Sequence, residues 1–376
     1  MFSIASVLAV LVGPAAFAES PAPEATQVGP QPDPCPVESD LVWWSEGGFT
    51  SCVRFLLNQP GAVVDRRDAR GKTALAAAAG AGQLEVVKLL LAHGARVDGA
   101  GADGRTALHG AAERGDLPLV RTLLGAGANA AAVDSNGDTP AHLAARASHA
   151  GALEVLLESR KAGAKIRNAE GRTALHDAVA AGDAESTRIL FENGADARTL
   201  DGSGHGMVYL AARSGQLDIL SVVLARGAAP DIVDHTGFTP LMTLARNGNT
   251  EGVRLLLKQR GIQLNRRDPA GVTALASAAM GGHLGVARLL LDNGADPRIA
   301  AKTGWTPLHW AAARGLDAMV RLLLASGADP GVRASDGRTP LALAHEKGDE
   351  TVVRTLEISG GHVEPLHQSG GLKTQR

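Results

Sequence analysis

Two kinds of apolar segment alternate along the chain. Short Ala-rich runs such as "TALAAAAGA" from Thr73, "TALHGAAERG" from Thr106 and "TPLHWAAARG" from Thr306 each lead, past a glycine, into a Leu- and Val-rich run such as "LEVVKLLLAHGA" or "DAMVRLLLASGAD". In the second kind, Leu84, Val87, Leu90 and Leu91 fall at i, i+3, i+6 and i+7, one stripe of a helix. The first kind predicts a helix opened by Thr and, where present, by Pro in its first turn. Glycines at 94, 127, 194, 227, 294 and 327 stand where a helix ends in the left-handed conformation. The predicted unit is therefore helix, tight turn, helix, extended loop.

This unit recurs with a near-constant step. Thr73, Thr106, Thr139, Thr173, Gly206, Thr239, Thr273, Thr306 and Thr339 open nine successive phrases, spaced 33, 33, 34, 33, 33, 34, 33 and 33 residues apart. Such a period predicts an all-α solenoid in which each unit packs on its neighbours. Composition agrees: 46 glycines and only 3% aromatic residues leave Ala, Leu and Val to build any core. With Lys+Arg at 37 and Asp+Glu at 39, and no long run of one sign, nothing resembles an electrostatic footprint for nucleic acid or an anionic bilayer.

The phrases, read as D-x-x-G-x-T-P-L-H-x-A-A followed by L-L-L-x-x-G-A-D, resemble the ankyrin repeat, over about residues 37–365. The resemblance implies a solenoid of helix-turn-helix units with projecting loops. Residues 68–333 hold repeats one to eight and 334–365 a C-terminal cap repeat with polar His345, Glu346, Lys347 and Asp349. Residues 37–67 form a degenerate N-terminal cap without the Thr-Pro-Leu-His phrase. Units three and six each carry one extra residue, which predicts bulged turns. In unit five, Gly206-Met207-Val208-Tyr209 replaces Thr-Pro-Leu-His, and that junction is expected to be the loosest.

Residues 1–18 read as an export signal, an apolar run closed by Ala16-Phe17-Ala18, although its start carries no Lys or Arg. An uncleaved anchor and a different start codon are the alternatives. Residues 19–36 are a Pro-rich extension and 366–376 a flexible tail. After cleavage no further membrane association is expected, and the chain is expected to be periplasmic, with secretion as the alternative. Export gives Cys35 and Cys52 a meaning, because an even pair in an oxidising compartment favours a disulfide, here tying the extension to the cap. A buried, unpaired Cys52 is the competing reading.

Candidate chemistry is sparse. His109, His142, His176 and His309 all occupy the fourth letter of the phrase. In the resembled family that histidine is structural, and equivalent positions about 8–10 Å apart cannot share one zinc ion. Hydrolase elbows, zinc-protease helices, phosphate loops and paired Cys-x-x-Cys motifs are missing from the sequence. An enzyme, a cofactor and a metal site are not expected; a hydrolase or metal enzyme is the remote alternative.

A protein partner is expected instead, bound by a monomer through the concave face that the resemblance implies. Reading the residue between the phrase's Gly and its Thr as the loop tip gives Lys72, Arg105, Asp138, Arg172, His205, Phe238, Val272, Trp305 and Arg338. The first five are charged or polar and the next three apolar. Aromatic residues at exposed tips suggest a binding hot spot. Phe238, Met242, Val272, Met280, Trp305 and Trp310 are thus the candidate partner-binding residues, an apolar patch on units six to eight. The competing reading lays Phe238 and Trp305 flat against neighbouring loops. At least one of Trp43 and Trp44 is expected to fill the cap's core.

Overall fold

The computed structural model describes residue 35 and residues 40–159 and 163–360. The expected export signal and tail, and all of the expected extension but Cys35, lie outside the described residues. The chain divides between Ser39 and Asp40, and twenty α-helices lie in the second unit. Among the described residues there is no β-strand, only isolated antiparallel bridges at Arg67–Thr73 and Leu200–Gly206. None of the helices is long and apolar enough to cross a membrane.

The helices come in consecutive pairs. Each pair has an inner helix grown from the Ala-rich phrase, such as Ala107–Arg114, Ala174–Ala181 or Pro307–Ala313, and an outer helix grown from the Leu-rich run, such as Leu117–Gly125 or Ala184–Glu192. Inner helices pack on the inner helices of both neighbouring units, outer helices on outer ones, and the two helices of a pair on each other. Small residues let the inner helices approach closely: a Cβ added at Gly110 would stand 2.9 Å from the Cα of Gly80 in the preceding unit. One continuous core results, built from Ala77, Ala78 and their repeats on the inner helices and from Leu90, Leu123, Leu190, Leu290 and Leu323 on the outer ones. All of those leucines are fully buried, so truncating one to Ala would cost about 2–5 kcal/mol.

Helix ends follow the sequence closely. Gly94, Gly127, Gly194, Gly227, Gly294 and Gly327 all hold positive φ beyond the outer helices. A second glycine ends most inner helices in the same conformation, as at Gly115 and Gly182, with φ +69° and +76°. At the equivalent place in unit three stands Ser148, the one non-glycine residue with positive φ among those described, at +59°.

Loops are tied from unit to unit by backbone hydrogen bonds. The N–H groups of Ser135, Ala169, Gly202, His235, Lys302 and Ser335 donate to the carbonyls of Asp103, Asn136, Glu170, Ser203, Ala270 and Thr303, at 2.7–3.1 Å. The rung between units six and seven falls at Pro269, which has no N–H to give. Unit five keeps both of its rungs, yet its helix Met207–Ser214 opens on Gly206 without any side-chain cap. The extra residue of unit six lies in the loop after helix Thr250–Leu257, where Gly261 takes φ +86°, and residues 160–162, around that of unit three, lie outside the described residues.

In the N-terminal cap, Trp44 packs against the core and Trp43 is 58% exposed, stacked on Phe49 with ring centroids 5.8 Å apart. Neither cysteine is a free thiol; Cys35 and Cys52 are both disulfide-bonded.

Candidate functional site

An Asp or Asn at the start of most loops decides where the neighbouring side chains go. Asp134 Oδ1 accepts the N–H groups of Asn136 and Asp138, Asn168 Oδ1 those of Glu170 and Arg172, and Asp201 Oδ1 those of Ser203 and His205. These Asx turns fold the chain back, so that the residue after the glycine lies over the start of the inner helix. The expected loop tips are therefore corrected by two to three positions. The exposed tips are the preceding pairs, such as Ala169 and Glu170 or Lys302 and Thr303, while the nine residues from Lys72 to Arg338 are half-buried or, at Asp138, buried.

Being folded inward, those residues reach side chains of their own inner helix and form a ladder along the inner face. Arg105 meets Glu113 at 2.5 Å, Asp138 meets Arg146 at 2.8 Å, Arg172 meets Asp177 at 3.0 Å and Arg338 meets Glu346 at 3.3 Å. His205 stacks on Tyr209 with centroids 4.5 Å apart, and Trp305 lies against Trp310 at 4.3 Å.

Units three and four join their rungs into one polar cluster. The Arg146 guanidinium, with its side chain 48% exposed, donates to both oxygens of buried Asp138 and reaches Asp177 at 3.5 Å. Asn168 Nδ2 donates to Asp138 at 2.6 Å, and Arg172 Nε donates to the other oxygen of Asp177 at 3.0 Å. Burial alone would raise the Asp138 pKa, but the bonds from Arg146 and Asn168 outweigh it and hold the carboxyl below its usual value. For the more deeply enclosed Asp177, burial wins over Arg146 and Arg172 and the pKa is raised. Arg146, Arg172, Asp177, Ala180 and Arg213 line a groove of ≈ 800 Å³ here. No motif marks this groove in the sequence; its one signal is the register of Arg146 and Arg213 at the ends of inner helices.

Asp138, His142 and Asp177 also offer ligand atoms within 4.8 Å of one another, a grouping that a comparison of histidines alone cannot find. Both nitrogens of His142 are already engaged. Its Nδ1 accepts from the Thr139 N–H at 3.2 Å, and its Nε2 faces the Arg172 carbonyl at 3.1 Å. The carboxylates are held by arginine, so the cation of this cluster is a guanidinium.

The phrase histidines are parts of the helix starts. In units two, three, four and eight, His109, His142, His176 and His309 complete capping boxes with Thr106, Thr139, Thr173 and Thr306. Accepting at Nδ1 leaves the proton on Nε2, which in His109 and His309 donates to the carbonyls of Asp138 and Arg338 in the next unit, at 3.0 and 3.3 Å. His176, facing the irregular unit five, has no partner for Nε2 among the described residues. Burial lowers the pKa of His109 and His309, and that of His176 to about 4.

Of the expected apolar patch, the structure brings together the two tryptophans. Trp305, Trp310 and Arg338 line a groove of ≈ 410 Å³, with the Arg338 guanidinium 5.6 Å above the Trp305 ring. Trp310 is half-buried against the core. Met280 is half-buried at the same repeat position as Arg213 and Arg246. Phe238 and Val272 are half-buried as well, and among the described residues no ring contact links Phe238 to the tryptophans. Met242 is a correction: only 1% exposed, it cannot touch a partner. It occupies the phrase's fourth letter, where the side chain enters the space between units like the histidines, and the true counterpart of Trp310 in unit six is Thr243.

Comparison with known proteins fits this geometry. One stretch of 49 residues, 13% of this chain, is 49% identical to the FYVE zinc finger domain protein UPA1 of Mycosarcoma maydis, and spans only 4% of that protein's length. The family model "Ankyrin repeats (3 copies)" matches residues 41–134, 108–201, 208–301 and 293–364. With nearly every described unit inside those matches, the chain belongs to the ankyrin-repeat family, whose stacked units are scaffolds for protein–protein interaction.

Proposed function

We propose that this protein is an exported, non-catalytic scaffold that recognises one folded partner through its inner face, with the Trp305–Trp310 pair as the anchor. The observation that carries this reading is that pair: two large rings 4.3 Å apart beside an open groove, in a face where units two, three, four and nine carry ion pairs. Aromatic residues in such positions dominate binding energy at protein interfaces. Disulfide-bonded Cys35 and Cys52 favour an oxidising compartment such as the periplasm, which supports export. There the scaffold would protect or assist a partner enzyme or neutralise a toxin.

Affinity capture from the envelope fraction with the full chain tests the reading. The wild type should retain a defined partner and Trp305→Ala should lose it while remaining folded. Equal recovery by both would remove the tryptophans from function. Recovery of the mature chain from the culture medium alone would favour the alternative, an effector acting outside the cell.

A further inference from the structure

We infer that the partner of this scaffold presents an acidic segment, and that Arg146, Arg213 and Arg246 on units three, five and six receive its carboxylates. This rests on the reading of the inner face as the binding surface and names the chemistry of its central part.

One repeat position decides the charge of that face. The last or next-to-last residue of successive inner helices, beginning with unit two, is Glu113, Arg146, Ala180, Arg213, Arg246, Met280, Ala313 and Glu346. Exposed arginines thus occupy the centre, and carboxylates or apolar groups the ends. Arg213 and Arg246 have no ion-pair partner among the described residues. Between Arg146 and Arg213, Ala180 leaves a notch in the ≈ 800 Å³ groove.

What the groove still offers is hydrogen-bond donors. Every carboxylate oxygen of Asp138 and Asp177 already accepts from Arg146, Arg172 or Asn168. Arg146 directs only its two terminal nitrogens at them, so its Nε and a spare N–H on Nη1 remain to be used. Asp201 and Asp234 are engaged by His205, at 3.0 and 3.5 Å. The exposed carboxylate on the groove's rim is Glu170, at the loop tip. A ligand carboxylate approaching from the helix side meets guanidinium groups able to bind it in a bidentate fashion, and Glu170 opposes only an approach across the loops.

A fluorescein-labelled oligoglutamate peptide and a length-matched Gly-Ser peptide, titrated with the full chain and followed by anisotropy at low salt, test this. The glutamate peptide should bind saturably and weaken with added salt. The double change Arg213→Glu and Arg246→Glu should lower its affinity about tenfold or more, because two attractive contacts become repulsive. Both residues are exposed and make no ion pair among the described residues, so the fold should survive. Glu170→Gln should tighten binding, and Arg121→Ala on the outer helix Leu117–Gly125 should leave it unchanged. Equal binding of the Gly-Ser peptide, no saturable binding, or indifference to the double change would overturn the proposal. If peptide binding fails while partner capture still depends on Trp305, only the acidic chemistry falls; if capture ignores Trp305 as well, the inner-face reading falls with it.

Discussion

Units four and eight place different chemistry on the same two backbone positions. Arg172 and Asp177 of unit four stand where Trp305 and Trp310 stand in unit eight, each pair following a loop glycine and a capping-box threonine and histidine. In unit four the positions make a 3.0 Å ion pair that extends to Arg146, and in unit eight two rings meet at 4.3 Å. The frame fixes where the side chains go, and the residue types fix what that surface can hold. Function in this fold is therefore read by register, one repeat position at a time.

Acid should separate the two units most strongly. His309 donates its Nε2 proton to the next unit, whereas His176 has no such acceptor and its pKa lies at about 4. The unfolded chain takes up a proton near the ordinary histidine value of 6.5 and folded His176 does not, so protons favour the unfolded state between those two values. Stability is whole above that window and falls as the pH drops through it, by about 3 kcal/mol for this histidine. Lowered His109 and His309 add in the same direction, and raised Asp177 opposes them. Urea melts between pH 7 and pH 4 check this, and a histidine NMR titration that finds His176 protonating near its ordinary value would break it.

The next effect concerns binding. Trp305→Ala should weaken the native partner by about 2 kcal/mol, while Arg172→Ala in unit four should act mainly on stability, since Arg172 Nε serves buried Asp177. Isothermal titration with the captured partner sets the two side by side. A larger binding loss for Arg172→Ala would reverse the roles assigned to the two units.

Two smaller predictions test the frame itself. Ser148→Gly should stabilise by about 1 kcal/mol, because the left-handed backbone at φ +59° strains a residue with a Cβ. Gly206→Thr should add about 0.5 kcal/mol by restoring a capping hydroxyl and reducing backbone freedom. There the new Cβ meets only the Leu200 side chain, at 3.3 Å, and the Ile232 side chain, at 3.8 Å. Thermal melts of the single variants measure both, and a drop in stability for either would mean that the local geometry differs from the described one.

Much of this was legible in the sequence because repetition supplies its own alignment. The 33-residue step, the glycines after the outer helices and the structural place of His309 all follow from comparing phrases within one chain. Loop direction did not, since it depends on hydrogen bonds inside each loop, from the Asp138 N–H to the Asp134 carboxylate and from the Ala301 N–H to the Trp305 carbonyl, that turn Asp138 and Trp305 inward from the apparent tips. Met242 was assigned to the surface because apolar character was counted and its register was not. The cluster of Asp138, Arg146, Arg172 and Asp177 escaped because its members come from two units and look, singly, like ordinary solvated charges.

The central claim is that partner recognition lies on the inner face, anchored at unit eight. Hydrogen–deuterium exchange of the full chain, free and bound to its captured partner, tests it most directly. The account predicts slowed exchange around residues 303–313 and in the loops of units five and six, with the outer helices of those units unchanged. Protection confined to outer helices such as Asp317–Ala325, with residues 303–313 unaffected, would contradict it.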